Sequence, residues 1–344
     1  MPETLSDIGE FGLIARIDAL LRREGAVLPE GNLGIGDDCA SFKPRPGHEL
    51  LVTCDAIVEG RHYLPGFISP MELGQRAMAL NISDIGAMGG VPRYALVSLG
   101  LRSDTPVKDV EAIYLGFVAE LNPFDAVIVG GNLTKSEGAN FIDITLIGDI
   151  EAGRSLRRAT ARPGNAILVT GYPGQAAAGL QLLLSGPPLQ NLKDHPLVKA
   201  YNRPSHRARE GREVALSGLA TAMIDTSDGL LGDLGHICDE SGTDARLIQE
   251  NLPISPALLE AAEQLGKAPL DWVLADSDDY ELIITCNPKS VEKVRSLIAA
   301  ISPVPVSNIG EIIPPSETAG NIELISEDGI PHQVIRSGWN HFAE

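Results

Sequence analysis

Apolar residues recur along this chain at two spacings, one typical of helices and one typical of strands. Helical spacing predicts two helices, and a third, helix-length segment is rich in small residues. The predicted helices are 12–24, 71–90 and 107–122. The predicted strands are 49–55, 94–101, 125–136, which we expect to end in a glycine turn, and 141–150. Helices and strands alternate, so the pattern predicts an α/β (α+β) fold.

The pattern is interrupted near residue 150. Residues 151–165 are basic and poor in apolar side chains, as expected of a connector, and 166–174 begins a second run of elements. In that run, 221–242 predicts a strand, an acidic turn and a helix, and 272–286 predicts an acidic turn leading into a strand. A chain of 344 residues exceeds the usual size of one hydrophobic core. We therefore predict two domains, 1–150 and 151–344.

Charge and cysteine content narrow the class of protein. The 27 basic and 46 acidic residues give a net charge of −19, which disfavours nucleic acid and anionic membranes as partners. The first ten residues lack the pattern of a signal peptide, and we find no run of 18 apolar residues, so we expect a soluble cytoplasmic protein. The four cysteines form no CxxC pair, and we expect buried free thiols.

Short Asp-containing segments lie at the predicted ends of strands and helices. They are GIGDDCA (34–40), VTCDAIVEGRHY (52–63), NISDIGAMGG (81–90), VGGNLTKS (129–136) and IDTSDGL (224–230). Binding sites in α/β proteins collect at the carboxyl ends of strands, so these segments can converge. Carboxylate oxygens bind magnesium, which in turn binds phosphate oxygens. The chain has no GxxxxGK[ST] loop, no GxGxxG turn and no HRD/DFG pair, which excludes the common scaffolds for phosphoryl transfer. Magnesium held by carboxylates is the remaining way for this chain to bind the phosphates of a nucleotide such as ATP.

Each segment also has a structural explanation when it is taken singly. The pair Asp37–Asp38 can form an exposed turn, and Asp55, which we expect to end a strand, can cap a turn. Asp84 shares a helix face with a residue three positions earlier, but it can instead cap a helix that begins one residue later. Ser227 can cap the helix that follows it, and the arginine run at 154–162 can be a solvated connector or supply a phosphate ligand.

The order and spacing of seven segments resemble the thiamine-monophosphate kinase family. The segments are GIGDDCA, VTCDAIVEGRHY, NISDIGAMGG, GGN, IDTSDGL, SDDYELIIT and the terminal GWNHF, and they extend from about residue 8 to 342. That family belongs to the superfamily of aminoimidazole ribonucleotide synthetase and selenophosphate synthetase. The resemblance implies the two-domain aminoimidazole ribonucleotide synthetase-like fold and a homodimer formed through the N-terminal domain. It also implies phosphorylation of thiamine phosphate to thiamine diphosphate with ATP and Mg²⁺.

The resemblance further assigns roles to particular residues. It implies that residues 1–150 bind ATP and magnesium and that 151–344 complete the active site. The implied magnesium ligands are Asp37, Thr53, Asp55, Asp84, Asp225 and Asp228, with a backbone oxygen of Cys54 and the amide of Asn132. The implied ATP contacts are Gly131, Arg158, Ser227 and Tyr114. The implied thiamine phosphate contacts are His62, Glu281 and Trp339, whose indole can stack on a cationic or flat ring.

Two departures from the family pattern bear on these roles. Asn132 stands where the usual form has Asp, so a neutral amide replaces a full charge at one ligand position. The segment ADSDDYEL replaces GGDDYEL, which changes the approach to Asp278 but keeps Glu281. Two alternatives stay open at this point: another ATP-dependent enzyme of the superfamily, such as a ring-closing or selenophosphate synthetase, and a catalytically inactive nucleotide-binding paralogue.

Overall fold

The computed structural model describes residues 3–29, 32–35, 39–186 and 192–334. The chain divides into two compact units. The first comprises residues 1–85 and 90–153, and the second comprises residues 86–89 and 154–344.

The first unit is a four-stranded sheet with helices. Its helices are α1 (Leu5–Arg23), α2 (Pro70–Ala87) and α3 (Val107–Leu121), and its strands are β1 (His48–Val58), β2 (Val91–Leu101), β3 (Val127–Lys135) and β4 (Phe141–Glu151). The strand order is β1-β4-β2-β3, in which β2 and β3 are parallel and the other pairs antiparallel. The predicted helices and strands of this half are confirmed, although α1 begins earlier than expected and has a kink at Gly9.

The sheet of the first unit buries one face and exposes the other. Along β1, Leu51 and Ile57 are buried, whereas Leu50 and Val52, on either side of Leu51, are 52% and 64% exposed. This alternation follows from the two-residue period of a strand. Ile85 of α2 packs close to the glycines at 90 and 148 on the buried side. The opposite side of β1 is therefore an apolar strip in contact with solvent.

The glycine pair in β3 forms part of the strand. Gly130 pairs with Leu96 and Gly131 with Val97, and the parallel pairing continues to Lys135 after a register shift. A Cβ on Gly131 would lie 1.8 Å from the Val97 carbonyl oxygen, so any side chain there would collide with the neighbouring strand. The predicted glycine turn is therefore wrong, and the glycine allows close approach of two strands.

The second unit is a seven-stranded mixed sheet with helices. Its strands are β5 (Ala166–Thr170), β6 (Ala220–Asp225), β7 (Asp244–Ile248), β8 (Leu282–Cys286), β9 (Val306–Ile313), β10 (Ile322–Ile325) and β11 (Pro331–Gln333). Its helices are α4 (Gln175–Leu184), α5 (Pro196–Asn202), α6 (Ala208–Ser217), α7 (Leu230–Ser241), α8 (Pro256–Leu265), α9 (Leu270–Val273) and α10 (Val291–Ala299). The strand order is β11-β10-β7-β9-β5-β8-β6. The β5 and β8 strands are buried along their whole length, and Leu168, Met223 and Ile284 belong to the core.

Two expectations about the whole chain can be compared with the described residues. Cys238 and Cys286 are buried, but Cys39 and Cys54 are exposed, so the expectation of buried thiols holds for two of the four. All four thiols are free. No helix within the described ranges combines the length and apolarity needed to cross a membrane.

Candidate functional site

In the first unit, polar side chains join β1 to α2. The Thr53 hydroxyl donates a hydrogen bond to Asp84 Oδ2, and Asn81 Oδ1 accepts from the Asp55 amide at 3.2 Å. Asn81 is fully buried and its amide nitrogen donates to the Ala77 carbonyl at 3.2 Å. We call Thr53, Asp55, Asn81 and Asp84 the first-unit group. Its hydrogen bonds bring a hydroxyl, a carboxylate and an amide oxygen together between a strand and a helix.

These contacts correct the expected positions of two aspartates. Asp55 does not end its strand, because β1 continues to Val58 and Asp55 pairs with Ile144 of β4. Asp84 lies inside α2, so it does not cap a helix beginning at residue 85. The shared helix face of Asn81 and Asp84 is confirmed, since both side chains bond to β1.

Cys54 and Asn132 occupy other positions in the same sheet. The Cys54 thiol donates to Asp143 Oδ1 at 3.1 Å and accepts from the Thr145 hydroxyl at 3.5 Å, on the face opposite Thr53 and Asp55. The Cys54 side chain therefore lies outside the first-unit group. Asn132 is exposed on β3, where it pairs with Ser98 of β2.

His62 and Tyr114 differ in accessibility. His62 is half-buried, and its Nδ1 accepts a hydrogen bond from the Val58 amide at 3.0 Å, so in the neutral ring the proton is on Nε2. Tyr114 is 4% exposed and packs edge-on against Phe117 at 5.2 Å, and burial raises the pKa of its phenol above the ordinary value. The Tyr114 ring is thus part of the packed interior of the first unit.

Two predicted site residues, Asp37 and Trp339, lie outside the described residues.

In the second unit, carboxylates gather where β6 leads into α7. Asp225 ends β6 and is 2% exposed. Carboxylate oxygens of Asp228 and Asp233 and a ring nitrogen of His236 all lie within 4.8 Å of one another. The Asp228 amide donates to Asp233 Oδ2 at 3.0 Å, which ties the loop to the first turn of the helix. We call Asp225, Asp228, Asp233 and His236 the second-unit group.

The second-unit group includes two buried carboxyl groups, those of Asp225 and Asp233. Burial, together with the charges of Asp225 and Asp228, raises the pKa of Asp233 to about 8, although the Asp228 amide and the Arg158 guanidinium act in the opposite direction. Arg158 is exposed and near enough to act on this carboxylate. Ser227 lies in the same loop, but the N-cap of α7 is Gly229, so the capping explanation for Ser227 is wrong.

Glu281 is held in a buried ion pair at the start of β8. It is 3% exposed, and its carboxylate accepts two hydrogen bonds from Arg207 at 2.5 and 2.6 Å. The Thr170 hydroxyl donates a third at 2.6 Å. The side chain predicted to contact thiamine phosphate is therefore fixed by residues of its own unit.

Sequence reasoning missed four residues of these arrangements. Asp233 and His236 are three positions apart on the helix after IDTSDGL, a spacing that puts them on one helix face and was available as a signal. Arg207 and Thr170 gave no comparable signal, because 74 and 111 positions separate them from Glu281.

Family models of the AIR synthase related proteins match both halves of this chain. The model of the N-terminal domain matches residues 36–150, and that of the C-terminal domain matches residues 162–322. The protein, with its first-unit and second-unit groups, thus belongs to the AIR synthase related class.

Relatives over nearly the full length define the family more closely. Thiamine-monophosphate kinase of Salmonella typhimurium is 36% identical over 339 residues, which cover 97% of this chain and 98% of the relative. A crystal structure of thiamine-monophosphate kinase from Stenotrophomonas maltophilia aligns with a TM-score of 0.79 at 32% identity, covering 94% of this chain and 98% of that one. AaThiL complexed with AMPPCP and TMP aligns with a TM-score of 0.73 at 32% identity, covering 98% of both chains. This chain belongs to the thiamine-monophosphate kinase family.

Proposed function

We propose that this protein transfers the γ-phosphoryl group of ATP to thiamine phosphate, giving thiamine diphosphate and ADP. Membership of the thiamine-monophosphate kinase family carries this proposal. The AaThiL structure supports it, since that protein is complexed with AMPPCP, an analogue of ATP, and TMP. The other enzymes of the superfamily and an inactive paralogue become outcomes of the test.

Magnesium is the proposed metal because the two groups consist mainly of oxygen donors. A hard divalent cation prefers carboxylate and hydroxyl oxygens, which Thr53, Asp55 and Asp84 supply in the first-unit group. The raised pKa of Asp233 supports the same fit, because burial and the neighbouring charges of Asp225 and Asp228 disfavour its ionised form, which a bound cation would favour. Bound magnesium would neutralise phosphate charge and orient the triphosphate.

The proposed magnesium ligands also include residues other than Thr53, Asp55 and Asp84. We keep Asp225 and Asp228 as ligands of the second-unit group, Asn132 and a backbone oxygen of Cys54 in the first unit, and Asp37 from the resemblance alone.

The chain's own residues would contribute to phosphoryl transfer chiefly by positioning. An oxygen of the acceptor phosphate is already ionised near neutral pH, so in-line attack on the γ-phosphorus needs no strong base. We assign ATP binding to Arg158, Ser227 and Gly131, of which Arg158 brings a guanidinium suited to phosphate oxygens. Tyr114, the fourth ATP contact implied by the resemblance, stays a weaker assignment because its ring is buried.

We assign thiamine phosphate binding to His62, Glu281 and Trp339. The Val58 amide donates to Nδ1 of His62 and so fixes the orientation of the half-buried ring. Glu281 presents a fixed carboxylate, and the role of Trp339 rests on the resemblance.

We also propose that two copies associate through the first unit. The apolar strip on the exposed face of β1, with Leu50 and Val52, supports a second copy as its partner. A two-fold interface places the same surface of each copy against the other, so an apolar strip is complementary to itself.

One coupled assay tests the proposed reaction. ADP release is measured with and without thiamine phosphate over a magnesium titration, and thiamine diphosphate is identified as the product. We expect release to require both thiamine phosphate and magnesium. ATP binding without thiamine-phosphate-dependent release would contradict the proposal and favour the inactive paralogue. Product formation from a different acceptor would favour another enzyme of the superfamily.

A further inference from the structure

Glu281 sits in a space that its neighbours shape closely. The residue directly precedes β8, and its carboxylate lies against Gly171, where an added Cβ would come within 1.9 Å of Oε1. The φ of Gly171 is +59°, in the left-handed region. Gly171 therefore leaves room for the Glu281 carboxylate, which any side chain at position 171 would displace.

The Arg207 guanidinium fixes the plane of that carboxylate. Nε of Arg207 donates to Oε2 at 2.6 Å and Nη2 donates to Oε1 at 2.5 Å. The Arg207 side chain is 18% exposed and the Glu281 side chain 4%. Such a pair of parallel bonds sets both position and orientation, which a single contact cannot do.

Thr170 at the end of β5 fixes the same carboxylate from another side. Its hydroxyl donates to Oε2 at 2.6 Å and accepts from the Leu282 amide at 2.8 Å. Among the described residues, Oε2 thus accepts two hydrogen bonds and Oε1 accepts one. A carboxylate oxygen can accept about two, so Oε1 has an acceptor position that these donors do not use.

The charge on Arg207 is secure in this setting. Burial lowers the pKa of the guanidinium, but the carboxylates of Glu281, Glu210 and Asp279 outweigh burial and raise it. Arg207 is thus a permanent cation with more than one acidic neighbour.

We propose that Arg207 is a positioning residue for thiamine phosphate: with Thr170 it holds the Glu281 carboxylate so that Oε1 faces the bound substrate. This inference rests on the proposed function, in which Glu281 contacts thiamine phosphate. Arg207 acts through Glu281, and ATP binding does not depend on it.

The main test compares Arg207→Lys with the wild-type enzyme in steady-state kinetics. Lysine keeps the charge but cannot form two parallel bonds. We expect the KM for thiamine phosphate to rise at least about tenfold, with kcat and the KM for ATP within about threefold of wild type. A matched rise in both KM values, or a loss confined to kcat, would overturn the inference.

A double-mutant cycle separates positioning from a general structural role. If Arg207 acts through Glu281, then Arg207→Met alone should raise the KM for thiamine phosphate. In a protein that already carries Glu281→Gln, the same substitution should change this KM less than about twofold. Equal effects in the two backgrounds would mean that Arg207 does not act through Glu281.

A second pair of variants covers the case in which the arginine variants fail to fold. Thr170→Val removes one donor to Oε2 and Thr170→Ser restores the hydroxyl. We expect Val to raise the KM for thiamine phosphate about three- to tenfold and Ser to leave it near wild type. Equal KM values for Val and wild type, in folded proteins, would count against the inference.

The control is Arg246→Lys, which alters an ion pair to Glu311 and Glu323 on strands β7, β9 and β10. In the sheet, β9 and β5 separate β7 from β8, so neither KM should change.

Failure of the proposed function would give a different result from failure of this inference. The wild type would then release no ADP with thiamine phosphate, or Glu281→Gln would leave its KM unchanged.

Discussion

The proposed dimer makes a quantitative prediction at Val52. This side chain is 64% exposed on the outer face of β1, beside Leu50 at 52%. Full burial of a valine side chain is worth about 1.5–3 kcal/mol, so covering the exposed part contributes about 1–2 kcal/mol. A two-fold interface contains the residue twice, which gives about 2–4 kcal/mol per dimer. Val52→Asp should remove this contribution to the free energy of dimerisation. It should also add the cost of placing a carboxylate in an apolar contact.

The expected result is a dimer that dissociates more readily. A loss of 2–4 kcal/mol weakens the dimer by roughly 30- to 700-fold in Kd, since each 1.4 kcal/mol is tenfold. Sedimentation velocity over a range of protein concentrations measures this shift directly. Circular dichroism checks that Val52→Asp is folded, as an exposed position in the monomer should allow.

The control is Leu259→Asp on α8 of the second unit, where the side chain is 52% exposed. This variant should keep the wild-type Kd. The reasoning would be refuted if Val52→Asp kept the wild-type Kd as well, or if the wild type were monomeric at every concentration.

Three further predictions concern the site and its stability. Asp55→Ala should leave the fold intact but lower turnover at least about 100-fold, and a folded variant with wild-type turnover at ordinary magnesium would remove Asp55 from the metal ligands. Asn132→Asp should reduce the magnesium concentration needed for half-maximal activity severalfold, because a full charge replaces an amide, and an unchanged titration would contradict a ligand role. Burial raises the pKa of Asp279 to about 7, against the lowering effect of the amides of Ala176 and Gly174, while the ordinary value is 3.8. Because the folded pKa is the higher one, the contribution of Asp279 to the free energy of unfolding is greatest below about pH 4. It falls as pH rises to about 7, by on the order of 4 kcal/mol. Asp279→Asn should flatten that part of the pH profile in urea unfolding experiments, and equal slopes for the two proteins would contradict it.

Periodic patterns in the sequence predicted the elements of the first unit well. The helices α2 and α3 and the strands β2 and β4 follow directly from the spacing of apolar side chains. The error at Asp55 has a physical reason. A carboxylate after an apolar run suggests a strand end, but pairing with β4 continues through Asp55 to Val58. Long-range pairing therefore determined where β1 ends, and a local pattern does not contain it.

The candidate site was predictable where its residues are close in sequence. Asn81 and Asp84 share a helix face because of their spacing, and the same rule would have found Asp233 and His236. The contact of Glu281 with Arg207 could not be predicted from the sequence. Arg207 meets Glu281 only because the folded chain brings β5, the start of α6 and the start of β8 together. Such contacts depend on tertiary structure and leave no periodic trace in the chain.

The backbone at Tyr280 and Glu281 is hydrogen-bonded to the loop that follows β6. Tyr280 has a φ of +55°, a conformation that costs a residue other than glycine about 1–2 kcal/mol. Its amide donates to the Thr226 carbonyl at 2.8 Å, and Thr226 and Glu281 exchange two further hydrogen bonds at 2.8 and 3.0 Å. The loop with Ser227 and Asp228 is thereby fastened to Glu281 and must shift together with it. Exchange of the Tyr280 amide proton with deuterium would then report the opening of this loop.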